Sequence, residues 1–544
     1  MRHGRRLLLG LLLALPATAG LAASCPPADT VALQALRDGA YRDGATVTVE
    51  GVVTGRFMDR GQLGGFYLQQ AGSPPSALFV YAPDLAPASV RPGRQVQVTG
   101  RFGHHHGRPQ LARPTALHDC GAVGLPAPWP LRLPEEASRK AELAGVKVHL
   151  DQPLTVSGNY ELARFGTLTL SAGGRLLRER SAEAEADQAR RIELDDGSYR
   201  RDPRPIPWLD DDGTRRSGST VHDLTGILEY AFDRWRLHPT RTPRFVDDHP
   251  RPAPPPRDGA GLRVATFNVE NYFVTLGARG AADAAARARQ QAKLRSAVEG
   301  LDADLLAVVE VENRRAALDD LVALLNRDQP AARHYRAVAH PHSGSDAIQV
   351  ALLYRPARLE LLGAEADRDP VHHRAPLLGW FQPRAGGAPF GVVAVHFKSK
   401  VGCPRSGDVD RGEGCWNRRR VEQAEALAGW LGRVRRDGLP VVVAGDLNAY
   451  AAEAPLLRLA DHGKRDPLAT RLPAARNYSY VFRGGAGRLD YLLTPAALAG
   501  RVVDGGIWHI NADEPPFLAY DGEQPAPGPW RASDHDPVWV DLAQ

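Results

Sequence analysis

The sequence predicts an α/β domain over its C-terminal half, preceded by small all-β modules. Three observations carry this prediction. Short runs of alternating apolar and polar residues, separated by turn residues, fill the first 250 positions. A proline-rich stretch, "DDHPRPAPPPRDGAG" (247–261), ends that texture. Beyond it, fully apolar strand-like runs alternate with Ala-, Arg- and Leu-rich stretches of helical period. At 544 residues the chain is too long for one core, and about three domains are expected.

In chain order, Arg2, Arg5 and Arg6 precede "LLLGLLLAL", followed by Pro16 and the small residues "ATAGLAAS". Residues 1–23 therefore read as a secretory signal peptide. Its apolar run is too short to cross a bilayer. A secreted protein, extracellular or periplasmic, is expected, and lipidation at Cys25 stays open although "AASC" lacks the usual large aliphatic residue. Residues 24–127 read as a small β-barrel or sandwich through "GATVTVEGVVTGRF", "GGFYLQQAG" and "GRQVQVTGRF". The pattern recurs over 128–246 in "GVKVHLDQPLTVSGNY", "RRIELDDGS" and "GSTVHDLTGILEYAFDRWRL", which suggests a second β-rich module. The linker 247–261 is expected to be semi-rigid and not to pack. The modules would then act as a separate grip, and 262–544 would fold and work alone. In that segment, helices are expected over 282–299, 316–327 and 418–436.

Four cysteines suit an oxidising compartment, and Cys25–Cys120 and Cys403–Cys415 are the economical intradomain pairs. The C-x-x-C spacing of a zinc site is absent. Net charge is +5 with a pI near 9.0, and Arg predominates among the cations. Arg forks match phosphate oxygens, so a polyanionic partner is allowed without being demanded.

The chemistry lies at strand ends in the C-terminal domain. Asn268 closes "RVATFN", Glu310 closes "DLLAVVE", His396 closes "VVAVH", and Asp446 and Asn448 follow "VVVAG". Asp490 lies in "RLDYLL", and Asp534 and His535 precede "DPVWVDL". Collected on one rim, these carboxylates repel and raise one another's pKa unless a cation joins them. Oxygen ligands with at most one imidazole favour Mg²⁺, Mn²⁺ or Ca²⁺ over zinc. An Asp–His pair adds acid/base capacity near neutral pH, and together these groups are what phosphoester hydrolysis requires.

The ordered motifs "FNVENYF", "VVEVEN", "HFKSK", "GDLNAY", "RLDYLL" and "SDHDPV" resemble the endonuclease/exonuclease/phosphatase superfamily over about 262–544. "HFKSKVGC" and "GDVDRGEGCWNRRRVEQA" further resemble secreted bacterial extracellular nucleases, which also carry an N-terminal OB-fold-like region. The resemblance implies two packed mixed β-sheets flanked by helices, a four-layer sandwich. It implies a metal held by Glu310, Asn268 and Asp534, and water activation at Asp446 with a phosphate oxygen held by Asn448. It implies His535 as the catalytic histidine oriented by Asp490, and His396 as an acid for the leaving oxygen. Two departures sit beside these groups: Val309 where the family often has Gln, and Val395 where close relatives often have Asn.

Lys398 and Lys400 follow His396 and are candidates for phosphate contact, as are Arg418, Arg419 and Arg420 in "WNRRR". Cations in the first turn of a helix favour a bound anion there. "DVDRGEG" reads as a solvated loop or a Ca²⁺ loop, without the closing Glu of an EF-hand. "HHH" (104–106) reads as a hairpin tip, and Phe57, Phe66 and Tyr67 as core residues or base-stacking residues. The expectation is thus a secreted, monomeric, metal-dependent nuclease acting on DNA, with RNA as an open alternative. Rival readings are a phosphatase or phospholipid phosphodiesterase of the same fold, against which no exposed apolar hairpin is read, and a catalytically dead nucleic-acid-binding protein.

Overall fold

The computed structural model describes residues 24–182, 185–257, 261–434 and 438–543. The expected signal peptide, 1–23, lies outside the described residues. The chain divides into two compact units, Met1–Ala127 and Pro128–Gln544.

In the first unit, strand Thr46–Phe57 pairs with both Gly65–Gln70 and Arg94–His105. Ser76–Tyr81 joins Gly65–Gln70, and Arg108–Ala122 pairs with both Ser76–Tyr81 and Arg94–His105. The five strands thus close into a ring, which removes free edges. Alternation along Thr46–Phe57 turns Val47, Val49 and Val53 inward against Phe66, Leu68, Val96 and Val98. Phe57, Phe66 and Tyr67 are all buried, so they are core and present no stacking surface. His106 (φ 50°) and Gly107 (φ 79°) form the tip between two long strands. Cys25 is bonded to Cys120.

The second unit corrects two expectations. Residues 128–246 contribute strands to a nine-stranded sheet whose order differs from the closed ring of the first unit, so the sequence echo is not a repeated topology. Nor is this segment a module apart. Arg175 and Arg216, both buried, pair with Asp513, and Arg216 also with Glu514. Leu176–Arg178 adds as a parallel strand to Gly485–Gly487. The proline-rich stretch also packs: His249 bonds Asp513, Arg251 bonds Glu514 through two nitrogens, and Arg257 pairs with Asp302 and Asp304. Prolines keep it extended, but its polar side chains add to the partners of buried Asp513, Glu514 and Asp304.

Two six-stranded mixed sheets form the rest. One runs Arg336–Ala337, Ile348–Tyr354, Leu305–Glu312, Leu262–Tyr272, Val538–Leu542, Val502–Ile507. The other runs Leu359–Ala366, Leu377–Pro383, Phe390–His396, Val441–Asp446, Asp490–Pro495, Lys464–Arg465. Val264, Ala307, Leu352, Val392, Val442 and Leu492 meet in the core between them. Helices Ala284–Leu301 and Arg315–Asn326 cover the first sheet through Leu294, Val298, Leu321 and Leu324. Asn417–Arg433 and Ala454–Asp461 cover the second through Leu427, Trp430 and Leu459. The result is a helix–sheet–sheet–helix arrangement, with buried strands that read as continuous apolar runs because both faces are covered. Val309 and Val395 point into these cores, so neither departure touches the rim.

Candidate active site

The rim groups meet because the central strands end together. In parallel register His396 lies opposite Asp446, and in antiparallel register Asp446 lies opposite Asp490. The residue before Asp446 has to be Gly: Gly445 has φ 146°, and a Cβ there would lie 1.9 Å from Val395 O. Glu310 (φ 68°) and Asn448 (φ 47°) hold left-handed backbone, a strain that surrounding contacts must sustain. At Glu310 the ladder loses register, as it does between Asn268 and Tyr272, and both irregularities turn polar groups onto the rim.

Asn268 Nδ2 donates to Glu310 Oε1 (3.0 Å) and Asp446 Oδ2 (3.4 Å). Asp446 Oδ1 accepts from Asn448 N (2.7 Å), and Asn448 Nδ2 donates to Phe397 O (3.2 Å). His535 Nδ1 lies 2.7 Å from Asp490 Oδ2, which Ser479 Oγ also bonds at 2.6 Å. Asn511 Nδ2 donates to His535 O (2.6 Å). Atoms of Asp446, Asp490 and His535 converge within 4.8 Å. Asp534 acts on the same cleft by charge, raising both Glu310 and Glu270.

Burial, then its like-charged neighbour Asp490, raises Asp446 to about 7 against the opposing pull of His535. Burial and Asp534 raise Glu310, and the same causes push Glu270 up to about 8. Burial alone would lower His535, but Asp490 and Asp534 hold it well above the ordinary imidazole range. Burial is the first cause of the raised carboxyls, and neighbouring carboxylates add to it. Glu270 Oε2 and Asp490 Oδ1 are buried without a hydrogen-bond partner among the described residues. An oxygen-rich donor set of this kind suits a hard divalent cation, and among the described residues the possible ligand atoms that converge are those of Asp446, Asp490 and His535. His535 is a poor ligand for it, because Asp490 already holds that ring and keeps it protonated.

His396 lies 3.6 Å from Asp446 Oδ2 and 4.0 Å from Glu310 Oε1. Burial, then the Arg374 cation, depresses it well below the usual range. Arg374 Nη1 lies 3.1 and 3.3 Å from the two ring nitrogens. A neutral imidazole cannot supply the proton expected of His396; it is a hydrogen-bonding group instead.

The basic residues divide. Arg420 is fully buried and donates to the carbonyls of Lys398, Cys415 and Glu413, so it braces the loop and is not a phosphate contact. Lys400 is paired with buried Glu453 and bonds Glu413 O, which takes it out of the cleft. Lys398, half-buried, lies 5.2 Å from the Trp416 ring centroid. Arg418 and Arg419 sit at the helix start, pair with Glu422, and have their backbone N–H groups capped by Asp408. The anion expected at this helix start is thus Asp408 itself. Asp410 Oδ1 likewise accepts from Gly412 N and Gly414 N, so "DVDRGEG" satisfies its own backbone.

Cys403 and Cys415 close this loop. Peptide mapping without reduction is expected to recover Cys403 linked to Cys415 and Cys25 linked to Cys120. Reduction should weaken substrate binding through Trp416 and Lys398 more than it lowers the unfolding temperature. Free thiols at these positions would contradict the assignment.

Several site groups escaped the sequence reading. Arg374 is buried, donates to Phe397 O (2.7 Å), and lies near Asp346, which also faces Arg279. Glu270 and Ser479 lie inside or beside quoted motifs but carry no spacing signal of their own. Gln290 Nε2, on the helix Ala284–Leu301, fastens Glu270 O at 3.0 Å. A strand-end "FNVEN" with two acidic or amide residues after Asn268 could have pointed to Glu270.

The model of the Endonuclease/Exonuclease/phosphatase family matches residues 265–535. Among solved structures, the human Nocturnin catalytic domain with bound sulfate is similar at 14% identity and TM-score 0.36, covering 52% of this chain and 94% of that one. An AP endonuclease from Archaeoglobus fulgidus is similar at 17% identity and TM-score 0.34, covering 52% and 100%. A mannosyl-6-phosphatase from Bacteroides thetaiotaomicron is similar at 16% identity and TM-score 0.34, covering 52% and 100%. A search of curated proteins finds no match.

Proposed function

Because residues 265–535 form a domain of the Endonuclease/Exonuclease/phosphatase family, we propose that the protein is a secreted, metal-dependent nuclease hydrolysing phosphodiester bonds of extracellular DNA, with RNA as a further substrate. The observation that carries this reading is the meeting of the buried Asp490–His535 pair with buried Asp446, which Asn268 links to Glu310. Two disulfides fit an oxidising compartment, and no described helix is long and apolar enough to cross a membrane. The closed five-stranded ring of the first unit supports an OB-like reading, a fold used to hold single strands.

A divalent cation held by Glu310, Asn268 and Asp534 beside Asp446 would supply charge for the phosphate oxygens and lower the pKa of an attacking water. The residues themselves do the remaining work. Asp446 accepts the proton that water loses as its oxygen bonds to phosphorus. His535, protonated through Asp490, donates to the departing oxygen as the P–O bond breaks. Arg374, in the same rim, stabilises the charge on the phosphoryl oxygens, and Asn448 orients an oxygen through its amide. Ser479 and Asn511 fix the Asp490–His535 pair.

This arrangement implies a linkage between protons and cation. At limiting Mg²⁺, the acid limb of kcat/KM should lie near pH 7, where Asp446 loses its proton. Saturating Mg²⁺ should move that limb to lower pH, because a cation beside Asp446 favours its ionised form. The alkaline limb should lie well above the ordinary imidazole range, since His535 acts while protonated. An acid limb indifferent to Mg²⁺ would separate Asp446 from the cation.

One observation favours a second reading. The hairpin of Leu224–Ala231 and Arg234–Pro239 presents Phe232 at its tip, 73% exposed, contrary to the expectation that no apolar hairpin is present. A phospholipid phosphodiesterase would use such a tip at a bilayer. Asp233, Arg234 and Arg236, whose guanidinium lies 4.9 Å from the Phe232 centroid, surround the tip with charge. Incubating the purified protein with plasmid DNA and with phosphatidylcholine vesicles, each with Mg²⁺, tests the choice: release of nucleotides or nicked DNA supports the nuclease, and release of a headgroup alone contradicts it.

A further inference from the structure

Beside the acid/base pair stands an aromatic feature that the hydrolytic groups leave unused. Strands Tyr480–Phe482 and Gly485–Gly487 pair antiparallel, with Arg483 (φ 50°) and Gly484 (φ 79°) at the turn. Residues two apart on a strand share a face. The rings of Tyr480 and Phe482 are accordingly near-parallel, 12° apart, with centroids separated by 6.5 Å. On its other side Tyr480 lies 4.7 Å from the His535 ring. Tyr480 is half-buried, whereas Phe482 is 52% exposed, and the Arg483 guanidinium lies 5.3 Å from the Phe482 centroid.

The hairpin is held firmly. Arg191 Nη1 donates to Arg483 O (3.2 Å), and Leu176–Arg178 pairs along Gly485–Gly487. At Gly484 the backbone approaches so closely that a Cβ would lie 2.9 Å from Thr169 Cγ2. An exposed Phe on a fixed hairpin beside a catalytic cleft leaves apolar surface in water that the described residues do not cover. A planar aromatic group would cover it, and the neighbouring cation suits one that carries a phosphate. Two ring contacts, of 6.5 and 4.7 Å, link Phe482 through Tyr480 to His535, which puts the exposed ring close to the acid/base pair.

We propose that Phe482, buttressed by Tyr480, is a stacking platform for a nucleobase of the bound strand near the scissile phosphate, with Arg483 facing that nucleotide's phosphate. The inference rests on the nuclease reading and adds the part of the substrate that a small phosphate ester lacks. Stacking tolerates any base, so the platform confers preference for a nucleic-acid strand without sequence preference.

The test uses the full chain in chelator, so that binding is read without turnover. Probes are a fluorescent oligothymidylate and a tetrahydrofuran backbone of the same length, which has phosphates but no bases. The parent should bind the oligothymidylate more tightly. Phe482→Ala should weaken that binding by about 5- to 100-fold, the range of one aromatic–base stack. The same variant should leave the abasic backbone unaffected, and Phe482→Trp should keep the base preference. Equal losses on both probes with a lowered melting temperature would make Phe482 a packing residue and overturn the proposal. Unchanged binding of both would overturn it too, as would loss of phosphatidylcholine-vesicle binding in Phe482→Ala with oligonucleotide binding intact. Cleavage with Mg²⁺ is scored separately: a parent that prefers bases but cuts no nucleic acid would overturn the nuclease reading and keep the platform.

Discussion

Replacing His535 by alanine is expected to lower kcat on DNA by about 10²- to 10⁴-fold, the usual contribution of a positioned acid or base, with little change in DNA binding. The effect should be nearly this large because the other rim histidine cannot take its place. His396 is kept neutral by burial and Arg374. Asp490→Asn should give a smaller loss and bring the alkaline limb down, because the amide retains bulk and removes the charge that keeps His535 protonated. Measuring kcat and KM for both variants across pH checks the assignment. A His535→Ala variant that cleaves near the parent rate would remove His535 from the mechanism.

Removing residues 24–257 is expected to abolish activity by unfolding the catalytic segment, contrary to the expectation that 262–544 works alone. Asp513 and Glu514 are fully buried, and their partners are Arg175, Arg216, His249 and Arg251. Burial alone would raise Asp513, yet Arg175, His249 and Arg216 hold it well below the carboxylate range. Taking one partner from a buried pair costs about 3–5 kcal/mol, and here several leave at once. That approaches the whole stability of a typical domain, about 5–15 kcal/mol. The damage would reach the active site directly: Tyr478 OH donates to Asp513, and the next residue, Ser479, holds Asp490. Arg216→Met in the full chain should lower the melting temperature by several degrees and reduce kcat. A soluble 262–544 fragment with parental kcat on short oligonucleotides would contradict this account.

What could be read from the sequence follows from what each feature depends on. Asp446 and Asn448 were legible because an apolar run that ends on two same-face polar residues is a local pattern. The helices expected over 282–299, 316–327 and 418–436 were legible for the same reason and fold as Ala284–Leu301, Arg315–Asn326 and Asn417–Arg433. The short helix Ala454–Asp461 and strands such as Leu359–Ala366 and Val502–Ile507 were not read. Arg420 and Lys400 were misplaced because their true partners, the carbonyls of the disulfide loop and the buried Glu453, are set by tertiary packing. The "WNRRR" helix start was read as a candidate phosphate contact, but its first N–H groups are taken by Asp408, from ten residues upstream. Arg374 carries no motif; only the folded rim brings it to His396. The union of 128–257 with the catalytic segment depends on pairs such as Arg216–Glu514, separated by 298 residues, and no local pattern reports contacts at that distance.

The central claim is that the cleft of Glu310, Asp446, Asp490 and His535 breaks phosphodiester bonds of nucleic acid with a bound divalent cation. The most direct measurement is a time course of plasmid DNA and RNA cleavage by the purified mature protein with Mg²⁺, Mn²⁺ or Ca²⁺, interrupted by EDTA and then by excess cation, with Glu310→Gln run alongside. The account predicts cleavage that stops with EDTA, resumes with cation, and is lost by at least about 10²-fold in Glu310→Gln. Cleavage that continues in EDTA, or a Glu310→Gln variant as active as the parent, would contradict it.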